Sequence, residues 1–463
     1  MRTRLIQQWL PIWMAFFLLP ISAKAQHNHH QHPPRETAPI ELPAGHEELK
    51  EQNETGENST PPVPDPPMNR ATGYLFNFSS GTSLNPASWS MPMEMSRAGA
   101  WNLMWMGEAS FVSRQQTGPR GLDQLFSTNW GMLAAARNVG KGSVMLRSMV
   151  SLEPLTVRNK KYPLLFQTGE TADGRPIVDG QHPHELLMEF SVQYAHPLSR
   201  RAIVNVYYAP VGDAALGPVA FPHRASAREL PQAPLGHHWQ DSTHIANNVL
   251  SAGLAYGMFR IEASGFRGKE PNENRWNIDM GAMDSWASRL TFEPSRNWLA
   301  QVSVGRIERP EASHPDDVVR TTASIHYTRP LRDGTDWSTS LIWARNYKTV
   351  GRYATNAVLA ETVLPIRSRN HVSARLEWSQ RDELFEYDHD LAHDIYEQTG
   401  KRAFNVGAFT VGYTRELAKF RSVETALGMN ATLYSTGATL QRFYGNNPVA
   451  VTTFLRIRLK GGE

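Results

Sequence analysis

From Trp101 to Lys460 apolar and polar residues alternate one by one, in one short stretch after another. In "HVSARLEW" Val372, Ala374, Leu376 and Trp378 form one face, and His371, Ser373, Arg375 and Glu377 form the other. "VVRTTASIHYT" divides likewise, with Val319, Thr321, Ala323, Ile325 and Tyr327 opposite Arg320, Thr322, Ser324, His326 and Thr328. "ELLMEFSVQYAH" sets Leu186, Met188, Phe190, Val192 and Tyr194 against Glu185, Glu189, Ser191 and Gln193. "SVETALGMNATLY" sets Val423, Leu427, Met429, Ala431 and Leu433 against Glu424, Gly428, Asn430 and Thr432. Successive side chains of a strand point to opposite faces, so a period of two predicts strands with one apolar and one polar side.

Sixteen such segments follow one another, at about 101–112, 127–139, 142–154, 184–196, 201–211, 247–256, 258–267 and 284–293, then 297–308, 318–328, 336–348, 355–365, 370–380, 404–416, 422–434 and 448–460. The connections alternate between short ones, such as "NVGKG" and "YGM", and long ones, such as 155–183, 212–246 and 381–403. Outer-membrane barrels have short turns at one end and long loops at the other. The pattern predicts an all-β fold, an antiparallel up-and-down transmembrane β-barrel of about 16 strands (roughly 14–18), with 212–246 and 381–403 exposed outside. An even strand number places both chain ends on one side, the periplasmic one. A soluble propeller or pair of sandwiches would also alternate. The export signal described next and the unbroken series of strands favour the barrel.

Residues 1–25 read as a secretory signal: Arg2 and Arg4, the apolar run "WLPIWMAFFLLPI", then Ala23-Lys24-Ala25 as a cleavage site. Residues 26–70 carry nine prolines and seven glutamates with almost no aromatic or β-branched residue, the composition of a disordered tether. Residues 71–100 form an irregular segment, either a plug for the barrel mouth or a periplasmic extension, and 101–463 form the barrel. Elsewhere no apolar run reaches the ~20 residues of a spanning helix. A net charge of +3 with 20% charged residues argues against nucleic acid as a partner, and the lack of cysteine excludes disulfides and thiolate metal sites. The chain has 13 Trp, 14 Tyr and 18 Phe despite a mean hydropathy of −0.45, a combination ordinary in membrane barrels.

Candidate chemistry is mostly metal-ligating. His27, His29, His30 and His32 cluster at the start of the tether, and imidazoles on a flexible segment can gather around one Cu, Zn or Ni ion. Met91, Met93 and Met95 alternate in "SMPMEMS"; as thioethers on one face they would select Cu(I), and as apolar filler they would only pack. Met104, Met106, Met145 and Met149 fall on faces predicted to line the lumen. They either make a soft-metal path or pack against 71–100 folded into the mouth. The long loops hold His182, His184, His223, His237, His238, His244, His314, His389 and His393, most simply read as solvated. His389 and His393, spaced H-x-x-x-H among Asp388 and Asp390, fit a metal site on one helical turn. The His, Asp and Ser of "LGHHWQDSTH" lack an elbow or oxyanion donors, so the chain is not expected to be an enzyme. Arg375, Arg456, Arg458 and Lys460 would form a cationic patch at one mouth that biases anion passage.

From Trp101 to Lys460 the chain resembles bacterial outer-membrane β-barrel proteins in architecture. That likeness implies an outer-membrane location with the N-terminal tether and C-terminus in the periplasm, and outer-membrane lipid and the barrel-assembly machinery as partners. The order of parts, a His/Met-rich segment and then a barrel, resembles the copper-resistance protein B family. This second likeness implies copper binding or copper export from the periplasm, with copper ions as the bound species and periplasmic metal-handling proteins as partners. The alternatives are a general diffusion porin or solute channel with no metal role, and a barrel whose loops contact other surfaces.

Overall fold

The computed structural model describes residues 68–312 and 316–460. The signal and nearly all of the tether, with His27, His29, His30 and His32, lie outside the described residues, as does His314. The strands are β1 (Glu94–Ala98), β2 (Trp101–Gln116), β3 (Gln124–Val139), β4 (Gly142–Val150), β5 (Tyr162–Ala172), β6 (Arg175–Gln181), β7 (Leu187–Pro197), β8 (Ala202–Gly212), β9 (Ala246–Tyr256) and β10 (Phe259–Arg267). They continue with β11 (Ser285–Ser295), β12 (Trp298–Ile307), β13 (Val318–Pro330), β14 (Asp336–Lys348), β15 (Tyr353–Pro365), β16 (Asn370–Arg381), β17 (Phe404–Phe420), β18 (Val423–Thr436) and β19 (Val449–Leu459).

Sixteen of these, β2–β4 and β7–β19, pair each with the next, all antiparallel, and β19 closes on β2 from Arg458–Glu108 to Ala450–Gln116. Closure leaves no long free edge, which a membrane requires because lipid offers backbone groups no partner. Below Glu108, β2 pairs instead with β1, from Glu94–Trp105 to Ala98–Trp101. All sixteen predicted segments are therefore barrel strands, displaced at their ends by a few residues.

The alternation sorts the side chains as predicted. Leu376 is 60% exposed on the outside while Arg375 beside it is 1% exposed within. Leu341, Val302, Ile325 and Phe409 face outward in the same way. Aromatic pairs gather near the short turns: Phe259 with Phe292 at 4.9 Å, and Trp298 with Tyr327 at 4.6 Å. An apolar outer band edged by aromatic rings is the face a barrel presents to lipid. Met188 departs from its predicted lipid-facing place and is buried within. The cause is a bulge: Met149 pairs with Glu189 and Val150 with Leu187, so Met188 is the extra residue and turns inward.

The long connections differ more from expectation. Residues 155–183, expected to be a loop, contain the hairpin β5–β6, whose first nine residues, Tyr162–Glu170, are all buried. A strand buried on both sides need not alternate, so its sequence carries no period of two. The connection 212–246, expected outside, lies inside the barrel: Leu216, Phe221, Leu230 and Trp239 are buried there together with Arg224, Glu229 and Asp241. The connection 381–403 instead carries the largely exposed helix His389–Thr399, capped by Asp388, whose side chain accepts from Leu391 N at 3.0 Å. Both described ends lie at the short-turn end, where Asn69 Nδ2 donates to Gly142 O at 2.9 Å and Lys460 N to Ser422 O at 2.8 Å.

The outer face gives a direct test. Leu376→Arg should cost roughly 2–4 kcal/mol, the penalty of a cation facing mid-membrane lipid. Urea unfolding in vesicles, followed by the heat-modifiable gel band, should show a lower midpoint for Leu376→Arg and none for Leu376→Met. A barrel indifferent to the arginine would contradict the assigned face.

Candidate functional site

A wall of sixteen strands encloses a lumen wide enough for water unless something fills it. Here two segments enter from opposite ends. From the short-turn end the helix Arg70–Phe76 leads into the loop 77–85. Its backbone meets the wall's arginines: Arg147 donates to Phe78 O at 3.2 Å and to Gly81 O, and Arg260 donates to Thr82 O at 2.9 Å. Arg289 reaches Thr82 Oγ1 at 3.0 Å. Gly81 sits at φ 48°, and a Cβ on it would lie 2.5 Å from that of Asp213, so the tip of this loop admits no side chain.

From the long-loop end comes 213–245. Arg224 pairs with Asp241 at 2.8 Å and with wall residue Glu361 at 2.5 Å, while Glu229 accepts from Arg456. The two segments meet at Asn85, whose Nδ2 donates to His223 O at 2.9 Å and whose Oδ1 accepts from Ala225 N at 3.0 Å. The expected cationic mouth is thereby neutralised. Arg375 is held by Glu361 at 2.8 Å, Arg456 by Glu424 at 3.1 Å, Arg458 by Glu108 at 2.6 Å and Lys460 by Glu424 at 2.6 Å. Three of these pairs join adjacent strands, Lys460 standing at the end of β19, and Arg458 with Glu108 becomes a pair only when β19 closes on β2.

The loop histidines were expected to be mostly solvated, yet His182, His184, His223, His237, His238 and His244 are all buried, on the inward segments and beside β6. Ring centres lie 5.4 Å apart for His184 and His244, 5.3 Å for His237 and His244, and 5.7 Å for His182 and His238. Three have Nδ1 engaged, His184 with Glu153 at 3.0 Å, His237 with Asp241 at 2.5 Å and His244 with Asp241 O at 3.0 Å. His182 engages both ring nitrogens, with Pro183 O at 3.1 Å and Glu170 at 3.0 Å, and His223 and His238 engage neither. Burial drives His244 and His182 well below the usual histidine range, with nearby cationic charge adding to the effect. Burial also lowers His237 against the pull of Asp241, whereas at His184 it is outweighed by Glu153, which raises that ring. His223, buried against Trp130 at 4.4 Å, is pushed down to about 3.

The methionines divide differently. Met104, Met106, Met145 and Met149 are buried in one apolar cluster with Met132, Met188, Leu75, Phe76 and Phe78, and Met91 and Met93 pack against it. Met95 stands on β1 opposite Met104 and is 41% exposed, so the three methionines of "SMPMEMS" do not share one environment. His389 and His393 are exposed on their helix, at the rim of an open cleft of ≈ 920 Å³ that also includes Tyr353 and Arg402. Among the described residues, the one group of three His or acidic side chains whose donor atoms all lie within 4.8 Å of one another is His238, Glu270 and Glu311. No local pattern points to it, since its members come from three separate long loops.

The sequence matches no protein-family model and no curated protein. Among solved structures it is similar to an anion-selective porin from Comamonas acidovorans, at 12% identity over 78% of this chain and 100% of that one, with a TM-score of 0.49. It is also similar to OprB of Pseudomonas putida (9% identity, 78% and 94%, TM-score 0.47) and to the outer membrane channel DcaP of Acinetobacter baumannii (9%, 78% and 99%, TM-score 0.45). With no family model matched, the likeness to the copper-resistance protein B family remains one of layout.

Glu361 is the acceptor that ties the inward segment to the wall, being shared by Arg224, Arg375 and Ser226 Oγ. Glu361→Leu leaves Arg375 without a carboxylate and Arg224 with Asp241 alone, a loss of about 3–5 kcal/mol for a buried pair broken on one side. Trypsin should then cut at Arg224 or Arg228 in the folded barrel, and wild type should resist. Equal resistance in both would mean that the segment is held by something other than this pairing.

Proposed function

We propose that this chain is an outer-membrane conduit for small hydrophilic solutes or ions, closed at rest by its own segments. Its short-turn end and both termini face the periplasm, and its long loops face outward. The observation that carries this reading is the junction at Asn85. There a segment from each end of the barrel meets the other through hydrogen bonds, inside a wall whose inward charges both segments satisfy. A seal made of polar contacts in a polar lumen can be broken and remade in water at modest net cost. An apolar plug would have to expose its core. The reading belongs with a selective or gated channel and not with a permanently open diffusion pore. Copper handling by the tail remains a second proposal, supported by the composition of 26–32 alone, since the methionines pack in an apolar cluster against Leu75, Phe76 and Phe78.

Planar-bilayer recording tests it. Purified wild type should give conductance steps far below those of an open pore of sixteen strands. Replacing 214–244 by a short Gly-Ser link should give steps several-fold larger. If wild type already shows the large steps, the lumen is open and the proposal fails.

A further inference from the structure

We infer that His238, Glu270 and Glu311 form a binding site for one divalent transition-metal ion of the zinc type, beneath the long loops at the mouth of the barrel. Their donor atoms all lie within 4.8 Å of one another, so side-chain adjustments of the order of an ångström bring them to the ~2.0–2.2 Å bonds of one ion. His238 is 3% exposed, and neither ring nitrogen has a hydrogen-bond partner. Its Nδ1 stands 3.6 Å from Glu270 Oε1, too far for a hydrogen bond. Glu270 Oε2 and Glu311 Oε2 are likewise buried without partners. Buried polar atoms are ordinarily satisfied, and three unsatisfied side chains converging on one point are what a cation would complete.

The neighbouring cations are engaged elsewhere. Arg320 donates to Asn346, Ser242 Oγ and His238 O; Lys348 pairs with Asp382 and Glu383, each at 2.9 Å; Arg275 pairs with Glu170 and Glu185. The carboxyl of Glu311 is pushed well above the usual range, first by burial and then by Glu383 and Glu270, as expected where negative charge exceeds positive. The histidine is held in place. A Cβ on Gly169, itself at φ 122°, would lie 2.5 Å from the ring of His238, so the ring occupies space that only glycine leaves. Next to it, Trp239 Nε1 donates to Thr355 Oγ1 at 2.7 Å and its ring lies under Arg381 at 4.3 Å.

One nitrogen and two carboxylates, with no sulfur, suit Zn(II), Mn(II) or Ni(II) over the soft Cu(I). Three protein donors leave a fourth position for water or an incoming ligand. The site is independent of the conduction reading: binding is measured in detergent without passage of solute, so either can fail alone.

The test uses the full chain with His27, His29, His30 and His32 changed to Gln, so that the tail offers no imidazole. Refolded and stripped with chelator, it is titrated with Zn(II) alone. A single bound ion, with affinity lowered about tenfold or more by His238→Gln and by Glu311→Gln, supports the site. The heat-modifiable gel band reports folding, and His238→Gln decides the question if Glu311→Gln does not fold. X-ray absorption of the bound zinc should show nitrogen and oxygen neighbours with one imidazole. No bound zinc, zinc held equally by the tail variant with and without His238→Gln, or zinc lost instead on His184→Gln overturns the inference.

Discussion

The whole interior depends on one constraint: charges on the inner wall must find partners without water. Arg147, Arg260, Arg375 and Arg456 are each about 1–2% exposed, and an unpaired guanidinium at that depth would be prohibitive. In an open pore of this width, water would solvate them. Here the loop 77–85 offers backbone carbonyls and a hydroxyl to Arg147, Arg260 and Arg289, and 213–245 supplies Glu229 to Arg456 and the Gln232 carbonyl to Arg375. Each of these arginines also pairs with a wall carboxylate, Glu189, Glu262, Glu361 or Glu424, so barrel and fillings are complementary in hydrogen bonding, the fillings completing what the wall pairs leave open. The alternating strands that put apolar residues on the outside are the same ones that place these arginines within.

That complementarity explains which parts were legible in the sequence. Leu376 and Arg375 could be assigned to opposite faces because alternation is local, and the sixteen barrel strands, β2–β4 and β7–β19, followed from it. The hairpin β5–β6 was missed because it is buried on both sides and so does not alternate. The inward course of 213–245 was missed because its evidence is a set of pairs, such as Arg224 with Glu361 and Arg456 with Glu229, whose members stand 137 and 227 residues apart. One sequence signal does raise the question. Leu216, Phe221, Leu230 and Trp239 are more apolar residues than a solvated loop of that length needs.

The histidines show the same limit. Their number in the loops was plain, but a histidine in a polar connection reads as solvated until the connection is known to fold inward. Once it does, six rings become buried, five of them within 5.2–5.7 Å of a neighbouring ring, and His238 meets Glu270 and Glu311 from two other loops. Exposed His389 and His393, which had the more recognisable spacing, sit at the rim of a cleft with their helix cap already using Asp388. Spacing along one helix finds sites made of near neighbours. It has no access to sites that only a closed barrel assembles.

The central claim is that the lumen is closed where the two segments meet, and thiol accessibility tests it most directly. The chain has no cysteine, so Ala225→Cys introduces a single one at that junction, where Ala225 is 3% exposed. With the folded protein in lipid vesicles, a membrane-impermeant maleimide is applied from each side in turn. The account predicts that Cys at 225 stays unlabelled from both sides until urea unfolds the barrel. Rapid labelling of the folded protein from either side would show an open lumen and contradict it.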